Sequence, residues 1–144
     1  MRLWHEALLP YLPRQQLLGQ HREVCALRGK GWGRKHATVD YVFTHPKEWL
    51  WMYHMRVMSE MINRGYHPDM KWALVQYQGE ALPPREASDI DLGSLNEKLA
   101  AGGLIYPEHD DAYLEECLKN LEGKGINLRD DFNNGTTVAS NPSN

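Results

Sequence analysis

Three consecutive residues, His21, Arg22 and Glu23, lie in a stretch from Arg14 to Arg28 that Gly19 alone interrupts. A second group, Arg34, Lys35 and His36, closes a glycine-spaced segment that also carries Lys30 and Trp32. Arginine, lysine and histidine bind phosphate oxygens, and a carboxylate held among them is a candidate proton acceptor. Taken alone, Glu23 reads as a solvated helix-surface glutamate and Arg22 as a surface arginine. The Gly29–His36 segment lacks the GxxxxGK[ST] spacing of a phosphate loop, so it is equally a basic connector. Trp32 is either a base-stacking wedge or a buried plug, and His21 and His36 are either phosphate contacts or structural hydrogen-bonders. Five further histidines, His5, His45, His54, His67 and His109, raise the question of a metal, above all in the run His109-Asp110-Asp111. No histidine pair has the spacing of an HExxH helix, and Cys25 and Cys117 fall on separate predicted helices. No metal and no cofactor is expected.

Charge is divided along the chain. Residues 1–36 carry seven Lys/Arg (Arg2, Arg14, Arg22, Arg28, Lys30, Arg34, Lys35) against Glu6 and Glu23, a net +5. Residues 81–144 carry five basic and twelve acidic residues, a net −7, while the whole chain stands at −3. Local basic surface, more than the total, decides nucleic-acid binding, so the N-terminal quarter is the part suited to a polyanion. The acidic half would repel the same partner and is a candidate surface for a protein partner.

The elements that must position these residues are helical. Pro13 suits the first turn of a helix that runs from Arg14 to a stop at Gly29. On it Leu17, Leu18, Val24, Cys25 and Leu27 share one broad face, with Gln15, Gly19, Arg22, Glu23 and Ala26 opposite. Small residues floor that second face and allow a bulky ligand close to the backbone. Ala37–Phe43 reads as a helical turn. Thr44 or His45 caps the longest helix, with Pro46 in its first turn, and Gly65 ends it. Leu50, Tyr53, His54, Val57, Met58, Met61 and Ile62 make it the core helix. Residues 66–90 read as loops with a turn near Trp72. Ile90–Ala101 is a further helix, and Asp110 caps a last one from Asp111 to Leu121. The sum is an all-α, compact single-domain helical bundle with long connecting loops over residues 1–128, followed by a disordered tail over 129–144.

A chain of 144 residues with 42% apolar and 24% charged residues has the composition of one globular domain. No apolar run approaches the roughly 18 residues of a membrane span. The charged opening MRLWHE is no signal peptide, and two cysteines make no disulfide framework. A membrane, secreted or collagen-like protein is excluded, and the cytoplasm is the expected location.

The first fifty or so residues resemble the pyrimidine-dimer DNA glycosylases of the phage endonuclease V type. They share a short N-terminal segment, a helix bearing His21-Arg22-Glu23, and then Arg34-Lys35-His36. The likeness continues through the long helix ending in Asn63-Arg64-Gly65-Tyr66 and covers about residues 1–70. It implies a compact helical enzyme that acts on ultraviolet-damaged double-stranded DNA as a glycosylase and then as an abasic-site lyase. In such enzymes the chain's own α-amino group attacks the anomeric carbon at the damaged base, a Schiff base forms, and elimination nicks the strand. The position of Glu23 carries the acid/base or electrostatic partner, and that of Arg22 helps bind DNA. A free α-amine titrates near about 7.7–8.0 against about 10.4 for lysine, so it is a ready nucleophile without burial.

Family members expose that amine by losing the initiator methionine, which requires a small second residue. Arg2 stands there, so Met1 is expected to be retained and to supply the amine about 3.5 Å further out along the chain. The candidate catalytic residues are therefore Met1, Arg2 and Glu23. The candidate DNA contacts are Arg14, His21, Arg22, Arg28, Lys30, Trp32, Arg34, Lys35 and His36. Two other readings stay open: a helical module that binds distorted nucleic acid without cleaving it, and a metal-dependent hydrolase built on the histidines.

Overall fold

The computed structural model describes residues 2–35 and 38–138, with side chains as far as residue 133. Among the described residues there are five α-helices and no strand: α1 (Arg14–Arg28), α2 (Lys47–Asn63), α3 (Leu92–Ala101), α4 (Asp111–Gly123) and α5 (Arg129–Val138). Short 3₁₀ turns at Glu6–Tyr11, Asp40–Thr44, Met70–Ala73 and Ala87–Asp89 punctuate the loops. The protein is all-α, as its periodicities predict.

α1 and α2 pack against each other as the central pair. α1 starts directly after Pro13 and buries Leu17, Val24 and Leu27, and in the same face two polar residues, Gln20 and Arg28. Its end is tightened by Gly31, whose amide donates to Ala26 O at 2.9 Å. A Cβ on Gly31 would stand 2.7 Å from that same oxygen, so only glycine lets the chain turn here. α2 follows Pro46 and buries Leu50, Tyr53, His54, Val57, Met58 and Met61. Ile62, expected in the core, is 50% exposed, because the next position around the helix from Met61 already faces solvent. Gly65 closes the helix at φ +86°, which lets the Tyr66 amide reach back to Met61 O at 2.9 Å.

α3 and α4 begin on aspartate caps, Asp91 to the Ser94 amide and Asp110 to the Tyr113 amide. α4 then buries Cys117, Leu118 and Leu121. The expected disordered tail is instead helical over Arg129–Val138. Two contacts that composition does not reveal hold α5. Arg129 reaches Glu115 at 2.6 Å and Glu122 at 2.9 Å, and Phe132 packs edge-on against Tyr11 at 5.5 Å. Residues 139–144 of that expected tail lie outside the described residues.

The part of the fold that matters most for chemistry is the extended segment Arg2–His5. Leu3 and Trp4 are buried, and the strand-like chain crosses α1, α2 and α4 at one end of the bundle.

Candidate active site

Buried Gln20 organises this end of the molecule. Its Nε2 donates to Arg2 O at 3.0 Å and to Glu23 Oε2 at 3.4 Å, while its Oε1 accepts from the Trp4 amide at 2.7 Å. The Tyr53 hydroxyl lies 2.8 Å from that Oε1 and 2.7 Å from Trp4 O, sharing one proton between them. From the other side the Tyr113 hydroxyl of α4 donates to Leu3 O. The amino-terminal main chain is thus tied to three helices by side chains, and its first described carbonyl hangs on the same amide nitrogen as the Glu23 carboxylate.

A second relay supports the first. His109, fully buried, accepts the Glu6 amide at Nδ1 (3.2 Å) and faces the Tyr41 hydroxyl with Nε2 at 2.7 Å. An imidazole that accepts at Nδ1 carries its proton on Nε2, so His109 donates to Tyr41. Tyr41 is bonded in turn to Tyr113, and burial pushes both phenols well above the ordinary tyrosine range. Burial also holds His109 down at about 3, so the ring stays neutral. The run His109-Asp110-Asp111 is accordingly a buried hydrogen-bonder followed by a helix cap, and its members do not converge as ligands.

Beside Gln20 opens a cleft of about 260 Å³ lined by Arg2, Trp4, Glu23, Thr38, Asn120 and Lys124. Glu23 is half-buried at its wall. Arg2 turns its guanidinium towards α4, 5.8 Å from the Tyr113 ring and 6.0 Å from Trp4, with Glu116 at 3.4 Å. Asn120 comes from α4 and Lys124 follows directly at its C-cap, and the sequence alone left this helix out of the site altogether. A larger groove of about 670 Å³ runs between the Glu6–Tyr11 turn, α2 and α3, but its charged groups are engaged. Glu6 binds Arg56 at 2.6 Å and the amides of Ile105 and Tyr106, and Glu60 binds Arg64 at 2.7 Å.

The expected DNA contacts divide. Arg14, Arg22, Lys30, Arg34 and Lys35 are exposed, and the Lys30–Lys35 loop leads towards Thr38 at the cleft. Arg22 lies over Gly19, where even a Cβ would meet its guanidinium only at an ordinary contact distance of 3.7 Å. Trp32 is a plug: it is half-buried, edge-on to Phe43 at 5.0 Å, with Lys47 Nζ 5.2 Å from its ring. Met1 and His36 lie outside the described residues.

Arg28 leaves the contact set. It is 7% exposed and donates to Trp72 O (2.7 Å), Leu74 O (3.0 Å), Tyr77 O (3.2 Å) and His54 Nδ1 (2.8 Å). Burial pulls its pKa to about 10, still charged at neutral pH. Arg28→Met is expected to cost about 3–5 kcal/mol in urea unfolding, because three partly buried carbonyls and His54 Nδ1 lose a charged donor. The salt slope of DNA binding should not change. A stable variant with a slope reduced by about one would put Arg28 back on phosphate.

The same arginine defines the cluster of His21, Cys25 and His54, whose ligand-type atoms all lie within 4.8 Å of one another. Because Arg28 donates to His54 Nδ1, neutral His54 carries its proton on Nε2 and donates it to His21 Nδ1 at 2.8 Å. The ring therefore turns a donor, and no lone pair, towards Cys25 and His21. Burial holds His54 at about 2 and lowers His21, and it pushes the Cys25 thiol up to about 11. The i, i+4 pair His21/Cys25 was a legible signal that attention to histidine pairs alone passed over.

Gln20 was missed too, although a polar residue spaced with Leu17, Val24 and Leu27 on the apolar face is itself a signal. Comparison with known proteins gives one match. The sequence model of the family described as pyrimidine dimer DNA glycosylase covers residues 1–74, which is α1, α2 and the N-terminal segment, half of the chain. No curated protein and no solved structure matches.

Proposed function

We propose, from the premise that this chain belongs to the pyrimidine dimer DNA glycosylase family, that it excises damaged pyrimidines from duplex DNA and then nicks the abasic site. DNA repair by a glycosylase is what the family itself denotes; the lyase step and the residues that perform it are our reading. In it the α-amine of Met1 attacks C1′ of the damaged nucleotide, and the glycosidic bond breaks with its electron pair leaving on the base. The sugar ring opens to a Schiff base. Glu23 then takes a proton from C2′, and β-elimination expels the 3′ phosphate. A carboxylate at this place also stabilises positive charge developing on the sugar before the base departs.

The observation that supports this best is the shared hydrogen bonding of Arg2 O and Glu23 Oε2 to Gln20. One trans peptide unit, about 3.8 Å between Cα atoms, joins Met1 to the clamped Arg2. The cleft adds Lys124 and Asn120 as polar groups for the flanking backbone, and the exposed Arg14, Arg22, Lys30, Arg34 and Lys35 are the proposed phosphate contacts. Moving a nucleotide out of the stack costs a few kcal/mol, which such contacts offset.

The test is borohydride trapping on an abasic-site oligonucleotide and on one carrying a pyrimidine dimer, with intact-mass measurement of the protein. The expected result is a covalent adduct mapped to the N-terminal peptide with Met1 in place. Salt-sensitive binding without any adduct would establish a binding module on this scaffold instead.

A further inference from the structure

We infer that Gln20 is the positioning residue of the site, holding the main chain of Arg2, to which the terminal residue is joined, against the Glu23 carboxylate. The inference rests on the reading just given and adds a residue to it. A glutamine with 1% exposure in the core face of α1 has to satisfy both ends of its amide. Here every partner belongs to the site: the acceptor end takes Trp4 N and shares the Tyr53 proton, and the donor end holds Arg2 O and Glu23 Oε2. The two halves act differently. The acceptor half anchors the chain, and the donor half couples the Arg2 carbonyl to the carboxylate. Because catalysis by proximity loses about a hundredfold for a misplacement near 1 Å, a loose donor half should cost rate rather than binding.

Gln20→Glu separates the halves. A carboxylate at position 20 still accepts from Trp4 N and Tyr53, but it repels Arg2 O and Glu23. When protonated, it regains a donor in the same place. The groups that face it are Arg2 of the N-terminal segment, Glu23 of its own helix and Tyr53 of α2. Around the cleft stand Lys124 and, on Arg2, Glu116 of α4. Burial and the neighbouring carboxylate raise the pKa of the introduced acid, so its protonated form is reached under mildly acidic conditions.

The experiment compares wild type and Gln20→Glu in single-turnover borohydride trapping at saturating abasic-site DNA, from pH 5.5 to 8.5, with circular dichroism showing both folded. Binding to DNA carrying a non-reactive tetrahydrofuran site is measured in parallel. The variant is expected to be about 10–100-fold slower at pH 8.5 and within a few-fold of wild type at pH 5.5, with affinity unchanged throughout. A variant-to-wild-type ratio that is flat with pH, or affinity lost in step with rate, overturns the inference. If wild type forms no adduct, the glycosylase/lyase reading falls first and takes this residue's role with it. Should Gln20→Glu not fold, Tyr53→Phe frees the same main chain and should slow trapping several-fold at unchanged affinity; an unchanged rate counts against the clamp.

Discussion

Glu23→Gln is expected to lower strand cleavage at an abasic site by about 10²–10⁴-fold, the range that a positioned general acid/base contributes. At 1.36 kcal/mol per decade that is about 3–5 kcal/mol of barrier. The substitution is nearly isosteric, and an amide oxygen at position 23 still accepts from Gln20 Nε2, so the clamp on Arg2 should survive. What is lost is the negative charge and the ability to take a proton from C2′. The α-amine is untouched, so borohydride should still trap the variant on abasic DNA while nicked product fails to appear. Glu23→Asp, which withdraws the carboxylate by one methylene, should fall between. Nicking by Glu23→Gln within threefold of wild type would show that another group accepts the proton, with Lys124 across the cleft the first to examine.

The separation between trapping and nicking follows from how the site is assembled. The N-terminal segment is held by Gln20, Tyr53 and Tyr113 through main-chain atoms, so the main chain that carries the proposed nucleophile is held without the Glu23 charge. This also bears on Arg2. Its backbone carbonyl is in the clamp, while its guanidinium is drawn to Glu116 and the Tyr113 ring and so packs against α4. A large residue at position two is therefore accommodated by the α4 side of the cleft, which lies beyond the segment matched by the family. The net −7 of the C-terminal half, read as a repulsive or partner-binding surface, includes Glu116 and the Glu115/Glu122 pair that pins α5 through Arg129.

What the sequence disclosed and what it hid have physical reasons. α1 and α2 are framed by Pro13, Gly29, Pro46 and Gly65, and their apolar residues repeat at helical spacing, so spans and orientation could be read without a structure. Asp110 announced α4 in the same way. Arg28 misled because an arginine at a helix end beside Lys30 looks like a phosphate contact. Its carbonyl partners at Trp72, Leu74 and Tyr77 are more than forty residues away and carry no side-chain signature. α5 misled because Asp130, Asp131 and Gly135 look like loop, and the helix depends on Arg129 and Phe132 finding distant partners. Glu23 was legible only through family resemblance. Its setting was not, since Gln20 of α1 and the α4 side of the cleft are joined through the N-terminal segment, which Gln20 and Tyr113 hold from opposite sides.

The two fully buried histidines predict an acid sensitivity that this packing imposes. His54 is held at about 2 and His109 at about 3, in each case chiefly by burial, whereas an unfolded histidine titrates near about 6.5. Each folded-state value is depressed, so below pH 6.5 the unfolded chain binds protons that the native state refuses. Stability is then fully present above about pH 6.5 and is lost as pH falls from there towards the folded values. Each histidine contributes a slope near about 1.4 kcal/mol per pH unit, and the pair about 2.7. His5 and His21, lowered in the same direction by partial burial, steepen it further. Against about 5 kcal/mol, the low end for a domain of this kind, the pair alone brings acid unfolding to about pH 4.6, and a more stable fold moves the midpoint lower. Urea unfolding at steps between pH 6.5 and 5, before carboxylates titrate, isolates the histidine part. His109→Gln should lower stability at pH 7, where the bonds to Glu6 and Tyr41 are weakened, yet flatten the pH slope by one histidine's share. Lowered stability with the slope unchanged would mean that His109 accepts a proton in the folded protein. The added proton would then sit on Nδ1, displacing the Glu6 amide and facing the Glu6 carboxylate at 3.4 Å, while Nε2 still donates to Tyr41.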